Sequence, residues 1–134
     1  MDIADQPVLD KGAVLSEAQL VAQWLTRFDA ALQSGSQANV MPLFAAESHW
    51  RDLLAFTWSI TPSESASTIS RLLAEKQHTV GAKGFVLAAG RTPPRRVQRA
   101  GYDVIEAIFQ FETKVGRGFG VLRLLASEPS KAFQ

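Results

Sequence analysis

The amino-acid sequence predicts an α+β domain in which helices pack on one face of an antiparallel sheet. Two observations support this fold class. Helix-capping signals and a four-residue apolar spacing occupy the first half of the chain, whereas alternating apolar and polar residues dominate after Gly81. Helices that come early and strands that come late favour α+β over a parallel α/β arrangement. The 134 residues, 46% of them hydrophobic, are enough for one domain with its own core.

The first helix has the clearest signals. Ser16 and Gln19 have the spacing of a capping box, in which each side chain satisfies a backbone N–H group of the other residue. An apolar residue then recurs at every fourth position, which predicts one buried stripe. The members of this stripe are Leu20, Trp24, Phe28 and Leu32. Gly35 is a suitable helix end, and a second, shorter helix is expected over residues 37–45.

A strand is expected over residues 48–60, followed directly by a third helix. Thr61 and Glu64 have the spacing of a second capping box, and Pro62 between them suits the first position of a helix. The helix that these residues would open is expected to end near Gln77.

The remaining residues predict strands and turns. The expected strands cover residues 85–89, 97–99, 103–113 and 119–127. The segment Gly116-Arg117-Gly118 is expected to form the turn of the last hairpin. This assignment divides the chain into an N-terminal arm at 1–15, a folded domain at 16–127 and a C-terminal tail at 128–134.

The composition excludes several classes of function. There is no cysteine, so disulfides, thiolate metal sites and cysteine nucleophiles are ruled out. A formal net charge of +1 gives no general electrostatic reason to expect a nucleic acid or a membrane surface as partner. The acidic N-terminus lacks the features of a signal peptide, and no apolar run approaches the roughly 20 residues that cross a bilayer. We therefore expect a cytoplasmic protein.

The segment 48–60 carries the most informative pattern for function. The side chains that a strand would place on one face are those of Trp50, Asp52, Leu54, Phe56 and Trp58. A carboxylate among large apolar groups is unusual, because an unpaired buried charge is costly, so this face is expected to line a pocket. Asp52 is the candidate catalytic residue, as a general base whose pKa apolar neighbours would raise. The alternative is that Asp52 pairs with an arginine such as Arg123.

Three other motifs are expected to have structural roles. His49 and Asp52 are three residues apart on a strand and point to opposite faces, so no metal site is expected there. The run Gly116–Gly120 lacks the third glycine of a dinucleotide fingerprint and precedes a strand pattern. The basic segment Arg91–Arg99 is interpreted as a solvated hairpin or as a surface that docks an acidic neighbouring domain.

The order of helices and strands over residues 16–127 resembles the nuclear transport factor 2-like superfamily. That resemblance implies a cone, with three helices packed in a strongly curved antiparallel sheet of four to six strands. Three shorter segments carry a narrower resemblance: Trp50–Trp58, Phe111–Thr113 and Gly116–Gly120. They are similar to the N-terminal domain that precedes the flavin and nicotinamide modules in a group of flavin-containing monooxygenases. In those proteins the chain would continue beyond Gln134 into the dinucleotide-binding part.

Two functions are consistent with these features. The first is a pocket-bearing accessory domain, without activity of its own, that serves a flavin-dependent oxidoreductase. The second is a stand-alone isomerase or dehydratase that uses Asp52 as its general base. The sequence favours the first, because no second acid–base group or oxyanion donor is evident. The pocket is expected to hold a small apolar molecule with one polar group and to be lined by Trp24, Trp50, Asp52, Phe56, Trp58, Phe109 and Arg123.

Expectations about partners and cofactors follow from the same patterns. Strands 103–113 and 119–127 carry apolar residues on both faces, which predicts a homodimer through the outer sheet face, including Ile108 and Leu122 or Leu124. No flavin or nicotinamide cofactor is expected in this chain, because its glycine-rich turn enters a strand rather than opening a helix. Neither a metal nor a nucleic-acid or membrane partner is expected.

Overall fold

A computed structural model of the chain describes the backbone of residues 15–53 and 60–134 and the side chains of residues 15–51 and 62–134. Within these ranges the helices are α1 (Glu17–Ser34), α2 (Gln37–Val40) and α3 (Ala66–Val80), with a 3-10 turn at Met41–Leu43. The strands are β1 (His49–Leu53), β2 (Ile60–Glu64), β3 (Lys83–Leu87), β4 (Arg95–Arg99), β5 (Tyr102–Thr113), β6 (Gly116–Leu125) and β7 (Glu128–Ala132). All strand pairs in the sheets are antiparallel, so the predicted α+β class is confirmed.

Helix α1 forms as the sequence predicts. The Ser16 hydroxyl accepts a hydrogen bond from the Gln19 backbone N–H at 3.1 Å, and the Ser16 backbone N–H donates to Gln19 Oε1 at 2.8 Å. The helix ends at Gly35, whose φ of 68° is left-handed and therefore suits glycine. Trp24, Phe28 and Leu32 are each at most 2% exposed, so the apolar stripe faces the core.

The predicted start of the third helix is wrong. Residues 61–64 belong to β2, and α3 begins at Ala66. Its N-cap is Ser65, whose hydroxyl accepts from the Thr68 N–H at 3.3 Å. Thr61 and Ser65 are both suitable N-cap residues. Thr61 does not cap the helix, because residues 60–64 pair with residues 49–53 of β1. Proline is tolerated at Pro62 because a strand with one partner has one edge without ladder bonds.

The single strand expected over 48–60 is also wrong. β1 ends at Leu53, and its partner β2 begins at Ile60 and runs in the opposite direction. Residues 54–59, which include Phe56 and Trp58, lie outside the described residues.

The main sheet has five strands in the described part of the chain. β5 and β6 form its centre, and β3 and β4 lie end to end along the other edge of β5. The turn between β5 and β6 is at Lys114 and Val115, so the turn predicted at Gly116-Arg117-Gly118 is misplaced and these residues begin β6. The two-residue connection leaves Thr113 paired with Gly116.

The C-terminal segment closes the curve of the sheet. Residues 128–132, expected in a tail, form β7 against β6. Beyond β7, the His49 N–H donates to the Phe133 carbonyl at 2.9 Å, while the Arg123 N–H donates to the Gln134 carbonyl at 2.7 Å. The end of the chain therefore connects the β1–β2 hairpin to the main sheet, and the strands curl into a half-barrel around the helices.

Side chains of α1 and α3 fix the position of β3 below the helices. Asp29 on α1 accepts hydrogen bonds from the backbone N–H groups of Gly84 and Phe85, at 2.8 and 3.1 Å. Gln77 on α3 is buried and exchanges two hydrogen bonds with the backbone of Ala82. Gln77 can be buried because both the oxygen and the nitrogen of its side-chain amide are hydrogen-bonded. No helix within residues 15–53 and 60–134 combines the length and the apolar character needed to span a bilayer.

Candidate functional site

A cavity of about 290 Å³ lies between α1, β1 and the main sheet, and side chains from both faces of β6 line it. Most of the described side chains that line it are aromatic or aliphatic: Trp24, Phe28, Phe44, Trp50, Phe85, Phe109, Phe111, Phe119, Val121 and Leu122. The polar side chains that line it are His49, Arg51, Arg123 and Gln134. The walls come from α1, β1 and the main sheet, so the cavity depends on how these elements pack together.

Two glycines of β6 make room for the aromatic rings of β5. Gly118 lies opposite Phe111, and Gly120 lies opposite Phe109. A Cβ atom on Gly118 would come within 2.6 Å of the Phe111 ring, and one on Gly120 would overlap the Phe109 ring. Glycine in a strand often marks such a close approach by a neighbour. Gly120 is thus part of the cavity wall, and the glycine-rich run is a strand and not a turn.

The aromatic side chains of the wall contact one another in an ordered series. Trp24 stacks on Phe28 with ring centroids 4.8 Å apart, and Phe28 meets Phe85 edge to face at 4.9 Å. Phe85 in turn stacks on Phe111 at 5.0 Å. The Trp24 indole N–H donates to the Leu43 carbonyl at 2.9 Å, which satisfies the one polar atom of this buried ring. The wall is therefore held in one geometry by packing.

The polar lining residues are held where the C-terminal segment meets β1 and β6. Arg123 donates through Nη1 to the Gln134 side-chain carbonyl at 2.6 Å and through Nε to Glu106 at 2.8 Å. The ring of His49 lies 5.7 Å from that of Phe133, edge to face. Arg51 and His49 are exposed, whereas Gln134 and Trp50 are half-buried. Two guanidinium groups therefore line a cavity whose remaining walls are largely apolar.

Four of the predicted pocket residues line the cavity: Trp24, Trp50, Phe109 and Arg123. The backbone of Asp52 pairs with Thr61 in the hairpin, but its side chain lies outside the described residues, as do Phe56 and Trp58. The role of Asp52 as a base or an arginine partner stays a prediction. Within the described residues, Arg123 is bonded to Glu106 and Gln134.

Sequence reasoning missed part of the lining. Phe111 shares a strand face with Phe109, and Phe28 is on the apolar stripe of α1, so the pattern contains a signal for both. Phe85 occupies a predicted strand but its position over the cavity depends on the pairing of β3 with β5. Gln134 has no local signal, because it reaches the site only through backbone pairing with Arg123.

The outer face of the sheet carries a second feature, a charged cluster formed by Arg95, Arg99, Glu106 and Arg123. Arg99 donates to both Glu106 oxygens, at 3.0 and 3.1 Å, and Arg123 donates to one of them at 2.8 Å. Arg95 is the third cation, 3.5 Å from Glu106 Oε1. Burial raises the pKa of Glu106, but the hydrogen bonds from Arg99 and Arg123 outweigh it, so the pKa lies below its ordinary value. Glu106 is therefore ionised at neutral pH.

The outer face also exposes apolar side chains next to this cluster. Val86, Phe119 and Val121 are between 50% and 56% exposed, and the guanidinium of Arg91 lies 4.7 Å from the centre of the Phe119 ring. Ile108 shares this face, opposite Val121. Leu122 and Leu124, predicted as members of an outer interface, are 3% and 0% exposed and face the core. That part of the prediction is wrong because the alternation along β6 turns these two leucines inward.

The basic segment 91–99 has its side chains distributed over different partners. Arg95 and Arg99 join the charged cluster, while Arg96 forms an ion pair with Glu17 of α1 at 3.0 Å. Within the residues whose side chains the structure describes, no three histidine, aspartate or glutamate side chains come together as metal ligands.

Comparison with known proteins adds no assignment to this geometry. No protein-family model matches the sequence, and no curated protein matches it significantly.

Proposed function

We propose that this chain is a small-molecule-binding domain that holds a flat, mainly apolar ligand in the cavity between α1 and the sheet. The observation that carries the proposal is the aromatic wall itself, in which the rings of Trp24, Phe28, Phe85 and Phe111 are packed in a fixed series around about 290 Å³ of space. Binding pockets are typically concave, mostly apolar and supplied with a few placed polar groups. The volume suits one aromatic ring with a short substituent.

The polar lining residues favour a ligand with an anionic end. Arg51 supplies a positive charge, Arg123 supplies guanidinium N–H donors although it is paired with Glu106, and Gln134 and His49 supply further hydrogen-bonding groups. Guanidinium groups bind carboxylates through paired, charge-assisted hydrogen bonds. An aromatic carboxylic acid therefore matches both the wall and the polar side chains.

Calorimetry with two matched ligand series tests this proposal. The first series contains benzoate, phenylacetate and indole-3-acetate, and the second contains the corresponding neutral amides. We expect saturable binding of at least one acid and weaker binding of its amide. Arg51→Gln should lower the affinity for the acid to about the affinity for its amide. Arg117→Gln changes an exposed arginine outside the cavity lining and should leave the affinity for the acid unchanged.

A steric variant separates cavity binding from surface binding. Leu122 lines the cavity and is 3% exposed, so Leu122→Phe adds volume where the ligand would lie. Val115 is 89% exposed in a turn, so Val115→Phe adds the same ring away from the cavity. Loss of binding in Leu122→Phe alone would support the proposal. Equal binding by both folded variants, or no saturable binding by any acid, would contradict it.

We further propose that the binding domain serves a flavin-dependent oxidoreductase. The support is the sequence resemblance over Trp50–Trp58, Phe111–Thr113 and Gly116–Gly120. The coding sequence provides the test, since a reading frame that continues past Gln134 into a strand, a Gly-x-Gly-x-x-Gly turn and a helix would join the two modules in one protein. A stop codon after Gln134, together with no flavoprotein gene beside it, would count against this association.

A further inference from the structure

Three guanidinium groups converge on one carboxylate on the outer face of the sheet. Arg95, Glu106 and Arg123 lie side by side on β4, β5 and β6, because Arg95 pairs with Glu106 and Glu106 pairs with Arg123. Arg99 lies on the same face of β4, four residues from Arg95, and binds both oxygens of Glu106. Strand register therefore places three positive charges around a single negative one.

Most of the hydrogen-bonding capacity of these arginines is unused within the described part of the protein. Each guanidinium has five N–H donors. Arg99 uses three of them on Glu106 and the Gln98 carbonyl, and Arg123 uses two on Glu106 and Gln134. The contact between Arg95 and Glu106 is a longer ion pair of 3.5 Å. The cluster has an excess of two positive charges, since one carboxylate offsets one of three cations.

The cations and not the carboxylate are presented to solvent. The Glu106 side chain is 13% exposed, whereas those of Arg95 and Arg99 are 56% and 41% exposed. The cluster lines a cleft of about 200 Å³, whose other lining residues are Thr92, Pro93, Ala107, Ile108 and Val121. Glu106 holds the guanidinium groups in position from below, and their remaining donors are available to a molecule in the cleft.

We infer that this cleft binds a dianionic oxyanion, namely a phosphate group, either free or as a monoester of a small organic molecule. Its two negative charges match the excess positive charge of the cluster, and guanidinium donors suit phosphate oxygens. Ile108 and Val121 provide an apolar surface for the organic part of a monoester. This cleft adjoins the aromatic cavity, since Val121 and Arg123 line both, but Arg95, Arg99 and Glu106 line only the cleft.

Titration of the whole chain with inorganic phosphate, and separately with phenyl phosphate, tests the inference. Binding is followed by calorimetry and by NMR of the arginine Nε–H groups, with chloride at the same ionic strength as reference. We expect saturable binding and shifts of the Arg95, Arg99 and Arg123 signals. Arg95→Gln and Arg99→Gln should each weaken binding by roughly tenfold or more, as expected for a hydrogen bond to a charged group.

Arg96→Gln is the matched control. It removes the same charge from the neighbouring position of β4, but Arg96 faces Glu17 of α1 rather than the cleft. Wild-type affinity for phosphate in this variant would support a specific site. Equal weakening by Arg96→Gln, or phosphate effects no larger than those of chloride, would overturn it. Tighter binding of phenyl phosphate than of inorganic phosphate would identify a monoester as the ligand, and equal binding would identify free phosphate.

Discussion

The close contact between Gly120 and the Phe109 ring shows how one missing side chain shapes the cavity wall. Phe109 is 7% exposed and lies beside Phe85 and Phe111, each with ring centroids 5.9 Å away, so its ring has little room to move. A methyl group at position 120 would occupy the space of that ring. The wall therefore depends on the absence of a Cβ atom.

We predict that Gly120→Ala lowers the free energy of unfolding by about 1–3 kcal/mol, the usual cost of overpacking. Gly116→Ala is the control, since a Cβ atom there meets nothing within 4 Å and the change in unfolded-chain entropy is the same. Urea denaturation measures both. Adding Phe109→Leu to Gly120→Ala should cost less than the sum of the two single changes. Equal stability of the two glycine variants would contradict this account.

Glu106 has a second residue-scale effect, on stability as a function of pH. Its pKa in the folded protein is lowered, chiefly because the hydrogen bonds from Arg99 and Arg123 outweigh the opposing effect of burial. A carboxyl with a depressed folded pKa stabilises the fold fully above its unfolded pKa. That contribution is lost as the pH falls through the lower folded value. The acid side of the stability profile therefore reports on this residue.

We predict that Glu106→Gln lowers the free energy of unfolding at neutral pH by about 2 kcal/mol, because three arginines lose their shared anion. The difference between the wild-type protein and the variant should shrink as the pH falls below the unfolded pKa of a glutamate, about 4.3, and disappear below the lower folded pKa of Glu106. Urea denaturation at a series of pH values provides the measurement, with Glu112→Gln, an exposed glutamate on the same strand, as control. A constant difference between wild type and Glu106→Gln across the whole series would rule out the ion-pair explanation.

At the scale of elements, Ser65 combines two opposing effects at the start of α3. Its hydroxyl caps the helix by accepting from the Thr68 N–H, which is stabilising. Its φ of 75° is left-handed, which costs energy for a residue with a Cβ atom. The hydrogen bond offsets the backbone strain. Alanine at this position removes the hydrogen bond and keeps the strain, whereas glycine removes both.

We predict that Ser65→Ala lowers the free energy of unfolding by about 1 kcal/mol, because the cap is lost and the strain stays. Ser65→Gly should cost only a few tenths of a kcal/mol or less, since glycine adopts this φ freely. Ser67→Ala, an exposed position in the first turn of α3, should be close to neutral. Thermal unfolding of the three variants gives the order of their stabilities. An alanine variant as stable as the glycine variant would show that the cap contributes little.

The elements that the sequence predicts correctly are those in which local signals agree. For α1, the Ser16 cap, the apolar stripe and Gly35 all indicate the same boundaries. The β1–β2 hairpin escapes prediction because residues 48–60 alternate without a glycine, proline or asparagine to mark a turn. β7 is not predicted because Glu128-Pro129-Ser130 has the composition of a turn. Its strand conformation results from pairing with β6. Local rules do not include such tertiary pairing.

The candidate site was predictable to the extent that it lies on regular faces. Alternation along β5 places Phe109 on an inner wall, and the α1 stripe includes Trp24, so both were predicted. The convergence of Arg95 and Arg123 on Glu106 depends on the registers of three strands, which sequence periodicity alone does not determine. The same limit explains why Leu122 and Leu124 were placed on the wrong face.

For the whole molecule, the two faces of one sheet have different chemistry. The inner face carries most of the aromatic cavity wall, and the outer face carries the charged cluster beside exposed apolar side chains, with Phe119, Val121 and Arg123 of β6 lining the cavity as well. Those apolar groups are Val86, Ile108, Phe119 and Val121, on three adjacent strands. A sheet face bounded by water normally carries polar side chains, so contiguous exposed apolar groups indicate a contact surface. We propose that a second copy of the chain covers the Val86 and Phe119 part of this surface in a homodimer, beside the cleft that Ile108 and Val121 line.

We predict that sedimentation velocity detects a monomer–dimer equilibrium that shifts toward dimer as the protein concentration rises. Phe119→Lys and Val86→Lys should each favour the monomer, because each places a charge in the apolar contact. Val115→Lys is the control, since Val115 is 89% exposed in the turn between β5 and β6 and lies away from the centre of the face. If wild-type protein stays monomeric at the highest concentration, or if Val115→Lys disrupts association as strongly as Phe119→Lys, the outer face is not the dimer interface. Circular dichroism of each variant would establish that the fold is intact, since Val86 and Phe119 are 50% and 56% exposed and lie outside the buried core.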